Sequence, residues 1–357
     1  MKTLHFQKAP GGSPGTPRRR CSRPQRVPAP RAFTLVELLV VIAIIGMITA
    51  LAVPTIFNSI ASARNAKTKA ELDLLHMALM NYKNEYGSFP PAYFGPIPNT
   101  NPAVALNNAS TYTRHPVYRH LTRIFPRIAE SPATFAVLAD ISPAQAIVFW
   151  LQGFYQNPTN PITNGNPNWP GAGPAASAGN RLKLFDFDES RLYAATAYIP
   201  GTPQSFAPRG TAAAAGMSAF PVFFTGHPNC GLPYVYFDSR CYDNPPPATD
   251  VTYMAQSTQG SASVASPYIN SNPPANPTIA QQHMCSDTFQ LIAAGRDDLY
   301  GTGQVAFPTD APYSPPQWPT FTFQPVTNLT GATGHADNIT NFADRPLADA
   351  IEAMKPQ

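Results

Sequence analysis

Twenty consecutive residues without a charge, Leu38 to Phe57, limit what this 357-residue chain can be. The run reads LLVVIAIIGMITALAVPTIF. As a helix rising about 1.5 Å per residue, it spans roughly the 30 Å hydrocarbon layer of a bilayer. No second stretch of comparable length and apolarity occurs in the sequence, so the chain is expected to cross a membrane once. The flank sets the direction. Residues 1–32 carry Lys2, Lys8, Arg18, Arg19, Arg20, Arg23, Arg26 and Arg31 and no acidic residue. Excess Lys and Arg stay on the cytoplasmic side, which places everything beyond about residue 60 outside the cytoplasm.

The formal charge of +4 therefore hides two unlike parts. Taking these eight basic residues from the chain's 24 leaves 16 against 20 acidic ones, a net charge of −4 for the remainder. A basic run can bind nucleic acid, but no aromatic residues are interleaved with these arginines and an apolar span follows at once. No nucleic-acid partner is expected. Apolar residues at 43% are ordinary for a folded protein, whereas only 12% are charged and 42 are proline. That pairing predicts long, polar, uncharged loops joining a modest amount of regular structure.

Immediately before the apolar run stands Arg31-Ala32-Phe33-Thr34-Leu35-Val36-Glu37. This resembles the prepilin peptidase recognition sequence of type IV pilins and type II secretion pseudopilins. The resemblance implies cleavage between Ala32 and Phe33, methylation of the new Phe33 amine, and Glu37 as the fifth mature residue. Gly46 and Pro54 stand where the family has its helix-loosening glycine and its kink-forming proline. Ala32 departs from the family's usual glycine at the cut; alanine is the mildest replacement. In the family the glutamate pairs with the free N-terminal amine of a neighbouring subunit, which sets the register of stacked helices. A carboxylate near a helix end can also simply reach the membrane interface. An ordinary secretory signal is the competing reading, because Ala50-Leu51-Ala52 and Ala61-Ser62-Ala63 both satisfy the small-x-small rule. The apolar run is longer than the roughly 7–15 residues of such signals.

Beyond the span, Leu72, Leu75, Leu79, Tyr82 and Tyr86 recur at spacings of three and four, the stripe of an amphipathic helix. Gly87 offers a left-handed cap and Pro90-Pro91 prevents continuation. Span and stripe together predict one bent helix of about fifty residues, its outer half packed on a domain. Its ending, AELDLLHMALMNYKNEYGSFP, resembles the major pseudopilin of type II secretion. The organisation expected is a cleaved basic leader over 1–32, the helix over 33–87, a Pro/Asn-rich insertion over 88–232, and a pseudopilin-like antiparallel-sheet domain over 233–357. Within the insertion, Ser131-Pro132 and Ser142-Pro143-Ala144-Gln145 each start a short helix, the second with a capping box. That helix is expected to bury Ile147, Leu151 and Phe154, with Trp150 nearby. LFDFDESRLY alternates like a half-buried strand.

Pro233–Phe237 reads as a strand and Thr288–Gly295 as its antiparallel neighbour. If so, Cys241 and Cys285 lie at the same end of the pair, and a Cys241–Cys285 disulfide is expected, leaving Cys230 free. Cys21 would leave with the leader. Gly295-Arg296-Asp297-Asp298 and His335-Ala336-Asp337-Asn338-Ile339 look like the pseudopilin loop that binds calcium. The resemblance implies a structural Ca2+ held by Asp297, Asp337 and Asn338; the plainer reading makes each cluster a turn.

No nucleophile elbow, phosphate loop or zinc-protease motif is present, since Gly216-Met217-Ser218-Ala219-Phe220 ends on the wrong residue. His115 and His120 read as loop or surface residues; Asp186, Asp188 and Glu189 could bind a metal, but their alternation with Phe185 and Phe187 more simply puts acids on the wet face of a strand. An enzyme is not expected. The fold implied is α+β and pilin-like, a long N-terminal helix packed on an antiparallel sheet. The function implied is a structural subunit of a type II secretion pseudopilus or related type IV pilus-like filament, in the inner membrane with its C-terminal domain on the periplasmic side. Its partners would be copies of itself, the prepilin peptidase and an assembly platform. The alternative is a surface fibre or adhesin subunit that binds a ligand through residues 88–232.

Overall fold

The computed structural model describes residues 34–92, 115–139, 141–166, 181–196, 202–208, 217–226, 231–242, 253–256, 262–270, 283, 285–295, 299–301, 320–321, 338–344 and 346–347. The chain divides into two units, Met1–Ile56 and Phe57–Gln357. Helix α1, Leu35–Tyr86, is continuous for 52 residues and contributes to both. In the first unit its large apolar side chains are exposed on every face, Leu35, Ile42, Met47 and Leu51 among them. In the second unit the spacing rule holds: Leu72, Leu75, Leu79 and Tyr82 are fully buried and Tyr86 packs against the same core. Each such side chain removed from water contributes about 1.5–3 kcal/mol. The helix stops where expected. Gly87 takes a φ of 77° and its amide donates to the Lys83 carbonyl at 2.7 Å, a conformation that costs glycine least.

Three short helices follow: α2 (Pro116–Ile124), α3 (Pro132–Ala139) and α4 (Pro143–Leu151). Ser142 and Gln145 form the predicted capping box on α4. Every residue of α4 is buried, well beyond the one face expected of it. Trp150 finds a partner for its indole N–H in the Pro91 carbonyl at 2.9 Å.

Residues 88–232 also supply sheet structure. A small ladder pairs β1 (Phe154–Tyr155) with β2 (Arg181–Leu182). Strands β3 (Leu192–Thr196), β4 (Phe206–Pro208) and β5 (Met217–Phe223) form an antiparallel sheet in the order β4-β3-β5. The alternating LFDFD segment does not belong to it. Phe185 and Phe187 do turn inward, their rings 4.7 Å apart, and Asp186 and Asp188 do face water. The backbone there pairs with no strand, because Asp188 caps a 3-10 turn, Glu189–Arg191, by accepting from Ser190 N at 3.0 Å. The strand begins only at Leu192.

The C-terminal sheet matches the expectation closely. β6 (Val235–Asp238) and β10 (Phe289–Ala293) pair antiparallel, with Asp238 opposite Phe289 and Val235 opposite Ile292. Between them in the chain lie the antiparallel pair β7 (Tyr253–Gln256) and β8 (Ala262–Ala265), then β9 (Ile269–Asn270). β9 pairs in parallel with β11 (Thr320–Phe321), and β12 (Ile339–Thr340) adds to the free side of β10. A bridge between Phe224 and Pro233 carries the chain from the first three-stranded sheet into the second. Side chains from α1, α4, β5, β6 and β10 share one hydrophobic core. The fold is thus α+β, a long helix whose outer part lies on antiparallel sheet.

Candidate functional site

The start of α1 is built by a reciprocal cap. The Glu37 amide donates to Thr34 Oγ1 at 3.2 Å. In return Glu37 Oε2 accepts from both the Thr34 amide and the Thr34 hydroxyl, each at 2.9 Å. The pattern Thr34-x-x-Glu37 is that of a capping box, a spacing that the sequence reading of Glu37 passed over. Within one chain, then, Glu37 already has work to do. Ala32 and Phe33 lie outside the described residues. Gly46 has open space around its Cα, with nothing within 4 Å of where a Cβ would sit. Pro54 lies inside the helix, where it offers no N–H to the Ala50 carbonyl. Thr49 and Thr55 return their hydroxyls to carbonyls of the preceding turn, Thr49 to Gly46 at 3.1 Å and Thr55 to Ala52 at 2.7 Å. No described residue of the first unit is buried, and the helix is long and apolar enough to cross a membrane.

In the second unit α1 is fastened by polar contacts that the sequence did not announce. Arg191 makes a two-pronged ion pair with Glu71, Nη1 to Oε1 and Nη2 to Oε2, the latter at 2.7 Å. The Tyr234 hydroxyl donates to the same Oε2 at 2.7 Å. Arg191 also donates through Nε to the Phe224 carbonyl at 3.0 Å and lies over the Phe223 ring, 4.4 Å from its centre. Burial pushes the Glu71 carboxyl up, but Arg191 and Tyr234 outweigh it and hold the group below its ordinary range. Nearer the other sheet, Lys69 donates to the Thr340 carbonyl at 3.1 Å. Asn341 binds Phe289 and Leu291 backbone groups and meets His76 at 3.3 Å.

The two histidines are not surface residues. His115 caps α2 by accepting from Val117 N at 3.3 Å. His120 is buried between Tyr82 Oη, at 2.9 Å, and Ser88 Oγ, at 3.3 Å. Burial, aided by the Arg240 and Arg123 charges, pushes its pKa down to about 3, so it stays neutral. The polar run around it, RHLTR, hides one inward face of a helix. Asp238 is buried as well, its pKa pushed up to about 6 by burial against the pull of Arg240, whose Nε donates to Oδ2 at 2.6 Å. Among the described residues, no group of three His, Cys, Asp or Glu side chains is placed to hold a metal.

Of the three residues that resemble a calcium loop, Asp297 and Asp337 lie outside the described residues. Asn338 is fully buried beside β12. Its Nδ2 donates to Tyr268 Oη at 2.8 Å and to the Tyr300 carbonyl at 2.7 Å. Among the described residues its buried Oδ1 has no hydrogen-bond partner. An oriented, unpaired carbonyl oxygen suits a hard cation, which takes oxygen ligands. Cys285 carries a free thiol and Cys230 lies outside the described residues.

Residues 29–53 match the family model for the prokaryotic N-terminal methylation motif. That is the mark of a type IV pilin-like substrate of the prepilin peptidase. The match takes in Ala32, Phe33, Glu37 and Gly46 and stops one residue short of Pro54. The motif and the apolar helix together make the N-terminus a membrane anchor. No curated protein and no solved structure matches the chain.

Proposed function

We propose that this protein is a structural subunit of a type II secretion pseudopilus or a related type IV pilus-like filament. The observation that carries the reading is the first half of α1, apolar on every face and exposed on every face, most of it inside the match to the methylation motif at residues 29–53. A bilayer covers such a helix before assembly, and equivalent helices of other copies cover it afterwards. In this reading the prepilin peptidase removes residues 1–32 and methylates Phe33, and an assembly platform stacks the mature subunits. The arginine-rich leader holds the N-terminus in the cytoplasm, so the domain beyond α1's apolar half faces the periplasm.

The test is the mass of the N-terminal peptide of protein extracted from membranes. A mature chain that begins with N-methylated Phe33 is the expected result. A chain that begins at Val53 or Arg64 marks a signal peptidase product and ends the filament reading.

A structural calcium ion belongs to the same proposal. Asn338 Oδ1, with Asp297 and Asp337, would hold it; the two carboxylates supply charge and the amide a neutral oxygen. A bound ion stabilises the folded state by mass action. The melting temperature should therefore rise with calcium and fall with chelator, and Asn338→Ala should blunt that response. A melting temperature indifferent to both additions would leave the two clusters as turns.

A further inference from the structure

Charge is unevenly distributed along this chain, and the fold sets the two signs apart. Between Glu85 and Glu130 the sequence holds no acidic residue but four arginines, Arg114, Arg119, Arg123 and Arg127. Taking these four from the 16 basic residues beyond the leader leaves 12 against 20 acidic ones. Arg114 lies outside the described residues. Helix α2 buries Val117, His120 and Leu121, so Arg119 and Arg123, one turn apart, share its exposed face. Arg127 follows in the turn beyond the helix and is exposed as well. Among the described residues no carboxylate forms an ion pair with any of the three.

Exposed acids gather elsewhere. Asp186, Asp188 and Glu189 all face water. Lys183, 3.5 Å from Asp186, and Lys67, whose charge acts on Asp188, offset them only in part. Both patches can be placed along α1. The acidic turn leads directly into Arg191, which is bound to Glu71. α2 sits further out, where His120 meets the Tyr82 hydroxyl at 2.9 Å. There Arg123 lies 4.0 Å from the point that a Cβ on Gly87 would occupy. From Glu71 to Tyr82 is roughly 16 Å of helix. The negative patch is thus nearer the apolar half of α1 and the positive patch lies at its far end.

We propose that the arginine face of α2 in one copy docks on the Asp186-Asp188-Glu189 turn of the next copy. The inference rests on the filament reading and names one contact within it. Exposed arginines contribute little to a fold, whereas the planar guanidinium grips carboxylates two-pronged. Because the two patches differ and sit at different heights on α1, the contact is head-to-tail. Each copy offers its acids to one neighbour and its arginines to another, so a shift along the helix direction propagates the contact. Complementary charge also fixes register, since a copy displaced to bring arginine against arginine is repelled. A membrane surface fits less well, because α2 lies at the end of α1 remote from the apolar half.

The test is crosslinking of the full-length protein in the membrane fraction, with the melting temperature of the purified protein in detergent as the control for folding. Arg119→Glu, Arg123→Glu and Arg127→Glu together should weaken the crosslinked ladder by about tenfold or more and leave the melting temperature in place. Asp186→Lys with Glu189→Lys should do the same. All five changes in one chain restore complementarity and should bring the ladder back. A wild type without a ladder ends the filament reading, and this contact with it. Equal ladders from the wild type and the arginine variant end the contact alone, as does a failure of the five changes to restore assembly. If that arginine variant keeps its ladder but loses binding to phosphatidylglycerol vesicles, the arginines serve a lipid surface and the proposal is overturned.

Discussion

Glu37→Val should leave membrane insertion and leader removal intact and abolish filament assembly. The span becomes more apolar, so anchoring cannot suffer. What is lost is the carboxylate that a neighbour's N-terminal amine would meet. The capping box complicates that inference, because valine also removes the acceptor for the Thr34 amide and hydroxyl. Glu37→Gln separates the two roles. Glutamine serves in a capping box as glutamate does, so the helix start survives while the charge is gone. Both variants should accumulate as processed subunits that fail to appear in sheared filaments or in crosslinked ladders of the membrane fraction. Should Glu37→Gln assemble like the wild type while Glu37→Val does not, capping is the role of this residue and charge pairing is wrong.

Arg191→Met should destabilise the domain by about 3 kcal/mol, read as a shift in the urea midpoint of the detergent-solubilised protein. The variant leaves the half-buried Glu71 carboxylate without its cation and the Phe224 carbonyl without its donor. Breaking one side of a desolvated pair costs more than the pair contributes, since the surviving charge cannot be rehydrated. Adding Glu71→Gln to Arg191→Met should therefore recover part of the loss, and the two changes should be plainly non-additive. Acid should act in the same direction. Glu71 has its pKa lowered in the folded state, so its contribution is present above the ordinary carboxylate pKa and is lost as pH falls through the folded value. Additive effects of the two substitutions would show that the residues act independently.

The parts of this molecule legible in the sequence are those with local rules. The Leu72, Leu75, Leu79, Tyr82 stripe, the Gly87 stop and the Ser142 capping box each depend on neighbours within a turn or two. The β6–β10 pairing is long-range, yet both strands are mostly apolar runs, interrupted only by Asp238 and Gln290, and announce themselves. The clamp on Glu71 is different in kind. Its partners Arg191 and Tyr234 lie 120 and 163 residues further along the chain, and an acid beside a leucine stripe looks like any solvated residue. His120 escaped for a related reason. Its neighbours Arg119 and Arg123 are polar, so the burial of one helix face by Tyr82 and Trp150 left no trace in composition. The alternation in LFDFD was real, but a backbone can alternate its side chains without finding a strand to pair with.

The fastening of α1 has a mechanical side. Glu71 is bound to Arg191 and Tyr234, Lys69 to the Thr340 carbonyl, and Tyr82 to His120. Just past the helix end, the Pro90 carbonyl takes the Tyr236 hydroxyl and the Pro91 carbonyl takes the Trp150 indole. These bonds are spread along four turns of helix, and their partners belong to different strands and helices of the same core. A tug on α1 along its length therefore strains them all together in shear, where no single bond can yield first and let the rest follow. A chain built this way passes tension from its helix into its sheets without lengthening, as a bolted spar passes it into a hull.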